Sequence, residues 1–231
     1  MIMDYTNTQH MSTKTKKVVI FGILDFAELA HYYLVHDSSY EVVAFTVNKE
    51  YLIETTFKEL PVVPFEEIEA HYPPSDYLLF APMTGIKMNN TRKKIYVEGK
   101  EKGYIFASYI SSKATVCHNE IGENCFILED NTLQPFTKIG NNVILWSGNH
   151  IGHHSKIEDH VFFTSHVVLS GHCHVKERAW FGVNATIRDG ITIGEGSLIA
   201  MGSLITKHTE PDGLYMGIPA KKQEKTALET Y

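Results

Sequence analysis

Two apolar rhythms divide this chain. From Lys17 to Ile110 hydrophobic residues come in short runs separated by stretches with helical spacing; from about residue 115 to 210 they return at every sixth position. In the first region KVVIFG (Lys17–Gly22) predicts a strand and DFAELAHYYLV (Asp25–Val35) a helix, with Asp25 placed to cap its start. EVVAFTV (Glu41–Val47) predicts a second strand and Phe65–His71 a short helix stopped by Pro73 and Pro74. DYLLFA (Asp76–Ala81) follows as a third strand, Met88–Lys102 as a charged helix and Tyr104–Ile110 as a fourth strand. Strand and helix in alternation imply a parallel sheet covered by helices.

The second region contains no helical pattern. Large aliphatic or aromatic residues recur from Ile121 through Ile127, Leu133 and Ile139, at every sixth position, to Ile205 without an insertion. A helix repeats at 3.6 and a strand at 2, so a period of six calls for a solenoid with three short strands per coil. The position four after each aliphatic (Cys125, Asn131 and onward to Thr209) holds small or medium side chains, as an inward site beside a bulky neighbour requires. The position three after holds Asn, Asp, Gly or His except at Phe136 and Arg178. Those types tolerate positive φ, so this column predicts the corners of the coil.

The rhythms partition the chain into a flexible arm (1–14), an α/β domain (15–112), a β-helical domain (113–210) and a C-terminal tail (211–231). A hydrophobic fraction of 43% supports a packed core, and a net charge of −6 argues against nucleic acid as a partner. No apolar run is long enough to insert in a membrane, and three cysteines without a CxxC pair fit a reducing cytoplasm.

Histidines concentrate between Ser147 and Val175. His154, His160, His166 and His172 fall in the corner column, where backbone geometry accounts for them. His153, just before a corner, points outward. An imidazole titrating near 6.5 is largely neutral at pH 7, which suits a general base.

The hexads IGENCF, IGNNVI, IGHHSK, IGEGSL and IAMGSL, with the segment MGIPAKK after them, resemble the left-handed parallel β-helix acyltransferases. With an α/β (Rossmann-like) half in front, the chain is similar to bacterial sugar acetyltransferases of the sialic-acid O-acetyltransferase and nucleotide-aminosugar N-acetyltransferase group. The resemblance implies that His153 is the catalytic base. His154 stands where an acidic residue often orients the imidazole, leaving Asp159, Asp130 or Glu129 as alternative partners. A second family histidine would fall at Phe162 and is absent. Gly171, three hexads after His153, would stack above it and supply an oxyanion-binding amide.

The resemblance further implies acetyl-CoA lying between adjacent β-helices of a homotrimer. Gly182, Ala200 and Gly202 would make room for its pantetheine arm, and Lys221 and Lys222 would meet its phosphates. Trp146 and Trp180, outside the inward columns, would line that groove or the contact between chains. The glycine-rich nucleotide turn of the resembled enzymes is reduced here to Gly22, with Leu24 and Asp25 where small residues would let a phosphate approach. Asn48 and Thr84 at the ends of strands, with Asp130, Asn131 and Asn149, complete the predicted acceptor contacts.

The expected activity is therefore acetyl-CoA-dependent N-acetylation of a nucleotide-linked amino sugar in surface-glycan synthesis, without a metal. The alternative is O-acetylation of a sugar hydroxyl. A remote alternative is a γ-type carbonic anhydrase, because the spacing of His118 and His154 resembles part of its ligand pattern. Its third ligand would be Asp159 rather than His, and His118 is read as lying outside the hexads.

Overall fold

A computed structural model describes residues 16–231; the arm predicted over 1–14 lies outside the described residues. The N-terminal half is a five-stranded sheet. Its strands are β1 (Lys16–Phe21), β2 (Tyr40–Val47), β3 (Thr56–Phe57), β4 (Leu60–Pro64) and β5 (Tyr77–Phe80), in the order β3-β4-β2-β1-β5. All neighbours are parallel except the short β3 on β4. Val18, Val19 and Ile20 are fully buried, as the middle strand of a sheet covered on both faces demands.

Helix α1 (Asp25–His36) buries Ala27, Ala30 and Leu34. Its N-cap is Leu24, which makes no side-chain cap; Asp25, predicted as the cap, is the first helical residue. The short helix α2 (Ile68–His71) follows a 3-10 turn at Phe65–Glu67. Helix α3 (Asn90–Glu101) starts later than the predicted Met88, because Lys87, Met88 and Asn89 take positive φ of 53°, 51° and 65°.

The predicted fourth strand, Tyr104–Ile110, is not part of this sheet. Phe106 makes one isolated bridge to Leu79, while Tyr109–Ile110 pairs with Phe126–Ile127 and opens the next domain. Tyr104 and Phe106 are buried among the core residues of the α/β half. Their apolar spacing thus reflects packing rather than strand pairing.

From Thr115 to Ile205 two-residue strands stack in three parallel sheets, each strand pairing with its counterparts in the coils before and after it. This is a three-sided β-helix with one hexad per side. The aliphatic column from Ile127 to Ile205 is buried, and so is the small-residue column from Cys125 to Thr209. Every corner from Asn124 through Gly202 has positive φ, including the two misfits Phe136 and Arg178. His118 also has a positive φ of 53°. It lies in register one coil below Phe136, not outside the hexads as read from the sequence.

One side of the prism carries outward apolar residues, among them Phe126, Ile144 and Phe162. These share a core with Ile20, Phe45 and Phe80 of the α/β sheet. Fully burying each such side chain contributes about 1.5–3 kcal/mol. Trp146 and Trp180 pack on this same junction: Trp146 lies 5.1 Å from Phe26, and Trp180 lies 4.6 Å from Tyr231. They pack into the seam between the two halves.

Arg92 of α3 pins the junction. It is fully buried and donates to the backbone oxygens of Asn142, His160 and Val161 and to the side-chain oxygens of Asn142 and Asn89. The segment predicted as a tail forms an antiparallel hairpin, Gly213–Gly217 with Ala220–Thr226, whose first strand extends the junction-side sheet beyond Leu198–Ile199. No helix among the described residues is long and apolar enough to cross a membrane.

Candidate active site

The edge of the prism formed by Phe136, His154, His172 and Gly190 gathers the chemistry. A strand ends at Ile151, Gly152 packs tightly, and the chain turns at His154 with φ of 56°. A Cβ on Gly152 would lie 2.5 Å from the Gly171 nitrogen, so this contact admits only glycine. His153 therefore leaves the coil just before the corner and its side chain is exposed.

Two contacts fix the His153 imidazole. Its Nδ1 is 3.0 Å from Nδ1 of His154. The ring also lies over Gly171, where a Cβ would approach its Cε1 and Nε2 to 2.9 Å. Only one proton can sit between the two Nδ1 atoms. When His153 donates it, Nε2 of His153 is left with a free lone pair. The His153 backbone N–H is held by Oε1 of Gln134 at 2.9 Å.

His154 is itself sandwiched, 4.7 Å from Phe136 and stacked on His172 at 5.0 Å. The carboxylates named as alternative partners of His153 are engaged elsewhere. Glu129 accepts from Tyr33 Oη (2.8 Å) and Ser147 Oγ (2.7 Å), and Asp159 accepts from Asn141 N (2.7 Å). Asp130 is an exposed corner on another edge. Phe162, at the position of the second histidine of the resembled enzymes, is buried in the domain junction.

The Gly171 N–H donates to no backbone or side-chain acceptor among the described residues, whereas Ser170 N and His172 N are both satisfied. Gly171 is only partly buried.

The remaining predicted residues scatter. Gly202 is exposed, with nothing within 4 Å of its would-be Cβ, and Ala200 is half-buried nearby in the chain. Gly182 is different: a Cβ there would meet Met201 N at 2.4 Å, so its role is coil packing and it offers no space to a pantetheine. Lys221 is exposed; Lys222 is paired with Glu210, which raises its pKa. Gly22 (φ 111°), Asn48 and Thr84 follow the C-terminal ends of β1, β2 and β5, on one edge of the sheet where strand order reverses. That edge is where open parallel sheets bind ligands. Asn131 and Asn149 are fully buried inside the coil, where they donate to Trp146 O at 2.8 Å (Asn131) and accept from Val167 N at 2.8 Å (Asn149). Their side chains cannot reach a substrate.

The carbonic-anhydrase alternative, with its zinc held by residues of two subunits, concerns His118, His154 and Asp159. His118 and His154 are two coils apart with Phe136 between them, and Asp159 is occupied by Asn141. Sequence reasoning gave His172 a corner role only; its ring also meets His153 edge-on at 5.0 Å. The repeat of histidine at the same corner of successive coils, from His154 to His172, was the signal that could have found it.

The bacterial transferase hexapeptide (six repeats) profile matches residues 120–153 and 136–171, and the hexapeptide repeat of succinyl-transferase matches 177–207. A putative acetyltransferase of Staphylococcus aureus (strain COL) is 41% identical over 56 residues, 24% of this chain and 28% of that protein. The acyl-[acyl-carrier-protein]–UDP-N-acetylglucosamine O-acyltransferase of Sinorhizobium fredii is 27% identical over 106 residues, 43% of this chain and 39% of that one. The chain thus spans well under half the length of either relative. Among solved structures, PerB from Caulobacter crescentus, in complex with CoA and GDP-perosamine, superposes with a TM-score of 0.79 at 22% identity, covering 90% of this chain and 97% of PerB. The acetyltransferase domain of PglB from Neisseria gonorrhoeae gives 0.79 at 20% identity, covering 90% of this chain and 100% of that domain. The fold is an N-terminal α/β unit followed by a left-handed parallel β-helix.

Proposed function

We propose that this chain, whose β-helical half is built of bacterial transferase hexapeptide repeats, is an acetyl-CoA-dependent N-acetyltransferase acting on a nucleotide-linked amino sugar. The observation that carries the reading is His153: an exposed imidazole hydrogen-bonded through Nδ1 to His154 and lying over Gly171, whose N–H donates to no acceptor among the described residues. Support comes also from PerB, whose complex with CoA and GDP-perosamine shares this fold across both halves.

The chemistry follows from those groups. The neutral amine of the sugar attacks the thioester carbonyl and a C–N bond forms. His153 Nε2 accepts the proton that the nitrogen loses. The carbonyl oxygen becomes negative and is met by the Gly171 N–H. The C–S bond then breaks, and the proton on His153 passes to the departing coenzyme A thiolate. Gly202, Ala200 and Lys221 on the late coils are the contacts assigned to coenzyme A. Gly22, Asn48 and Thr84 are assigned to the nucleotide sugar, with Asp25 in the first turn of α1 opposing a phosphate close to that helix. A second copy of the chain closes the site on the prism side whose outward strand residues are Thr132, His150, Val168 and Thr186. Those four residues include no Lys, Arg, Asp or Glu and are partly exposed, as residues at a surface between subunits of a trimer would be. Three unpaired cysteines, two of them buried, fit a reducing cytoplasm.

The test is acetyl transfer from acetyl-CoA to a panel of nucleotide-linked amino sugars and their hydroxyl analogues, for wild type and His153→Asn. Transfer to an amine by wild type, lost by about 100-fold or more in the variant with coenzyme A binding retained, is the expected result. Transfer to hydroxyls alone would assign O-acetylation. Undiminished transfer by His153→Asn would overturn the role of the imidazole.

A further inference from the structure

His153, His154 and His172 place three imidazoles on one edge of the prism, and one ring nitrogen of each lies within 4.8 Å of the other two. All three side chains are exposed, and among the described residues no other trio of His, Cys, Asp and Glu side chains comes together in this way. His154 and His172 lie nearly parallel (17°) one coil apart, and His153 stands edge-on to both.

Backbone geometry does not require this cluster. Corners need positive φ, and Gly190 and Phe136 satisfy that need in the same column with no imidazole. Nor does catalysis require it, since one acceptor for the His153 proton is enough. What the trio offers in addition is three imidazole nitrogens within 4.8 Å of one another, the ligand type of an open zinc site. With Zn–N bonds of about 2.0–2.1 Å, tetrahedral ligand nitrogens stand about 3.3 Å apart. Two of the three are already 3.0 Å apart, and the third, His172, has an exposed side chain stacked on His154.

We propose that His153, His154 and His172 bind a divalent transition-metal ion of the Zn2+ class, and that the bound ion switches off the base. The switching half of this rests on His153 being the base. A metal on Nε2 of His153 occupies the lone pair that accepts the substrate proton. A metal on Nδ1 leaves the one ring proton on Nε2, where it blocks the same position. In either case the ring has no acceptor until the ion leaves. The ion is an inhibitor of the site and supplies none of the chemistry of transfer.

The experiment titrates Zn2+ into metal-free full-length protein by calorimetry and follows acetyl transfer in parallel, for wild type and His172→Phe. Phenylalanine keeps an aromatic ring in the stack, and Phe136 shows that this corner accepts it. His172→Asn serves as a second variant, since Asn124 and Asn142 hold equivalent corners. Expected are one Zn2+ per chain in wild type, affinity about tenfold or more weaker in both variants, and metal-free turnover unchanged within about twofold. Wild-type turnover is lost as the site fills, while the variants stay active at that Zn2+ concentration. Equal Zn2+ affinity in wild type and both variants would overturn the site. Absence of Zn2+ binding with intact transfer would remove the metal and leave the base standing. Zn2+ bound at these imidazoles with undiminished transfer would overturn the switch, and the base assignment with it.

Discussion

Gly171 lies directly beneath the imidazole of His153, in the next coil of the prism, so that a methyl group on Gly171 would come within 2.9 Å of the ring. The backbone at Gly171 does not need positive φ, so alanine is allowed there on conformational grounds. The conflict is with the ring alone. Gly171→Ala should therefore push His153 off its position and lower kcat by about 100-fold, as displacement of a catalytic group by about 1 Å does. The melting temperature should change little, because the displaced ring is exposed. Steady-state kinetics beside a thermal melt checks both halves of this expectation.

His154 takes the place of an orienting carboxylate. His154→Phe keeps the ring between Phe136 and His172 but removes the hydrogen-bond partner of His153 Nδ1. Losing one hydrogen bond of about 1–1.5 kcal/mol predicts a fall in kcat of about tenfold, with KM for acetyl-CoA unchanged. His154→Asp should recover activity, since Asp130 shows that a corner accommodates aspartate. A purely structural role for His154 would leave both variants equally impaired.

Arg92 is a charge buried without a carboxylate. Burial pulls its pKa down to about 9, so it remains protonated at pH 7. Among the described residues its five acceptors belong to Asn89 and to the coil around Asn142 and His160, and its Nε makes no hydrogen bond. Arg92→Met strands those oxygens and should cost about 3 kcal/mol or more, a drop in melting temperature of roughly 6–12 °C for a chain of this size. Calorimetry should show the loss in the same transition as the β-helix.

His160 is held neutral. Burial is the main cause, with Arg92 adding to it, and its pKa falls from 6.5 to about 4. Its Nδ1 accepts from Asn142 Nδ2 at 2.8 Å, as a neutral ring does. The 3.9 Å approach of Nε2 to Glu177 is therefore not an ion pair at neutral pH. Between pH 6.5 and about 4 the unfolded chain binds a proton at this site and the folded chain does not. Stability from His160 is thus complete above about pH 6.5 and is lost as pH falls toward about 4, by up to about 3 kcal/mol. Denaturant melts across that range should show a steeper acid decline for wild type than for His160→Asn, which keeps the corner residue type of Asn142.

The sequence alone determined the β-helix, because burial on each side of a three-sided coil forces one bulky and one small inward residue per hexad, a period that neither a helix nor an ordinary strand has. It also determined that His153 points outward, since the corner column is fixed by φ and its neighbour must leave the coil. Only the tertiary structure decided which groups meet that imidazole. His154, His172 and Gly171 are set by the stacking of one coil on the next and by ring rotation, neither of which leaves a mark on the period. It also decided that Asn131, Asn149 and Gly182 belong to the coil's interior packing, and that Trp146 and Trp180 belong to the seam between domains. An exposed strand position reads the same in sequence whether solvent, a second domain or a ligand covers it.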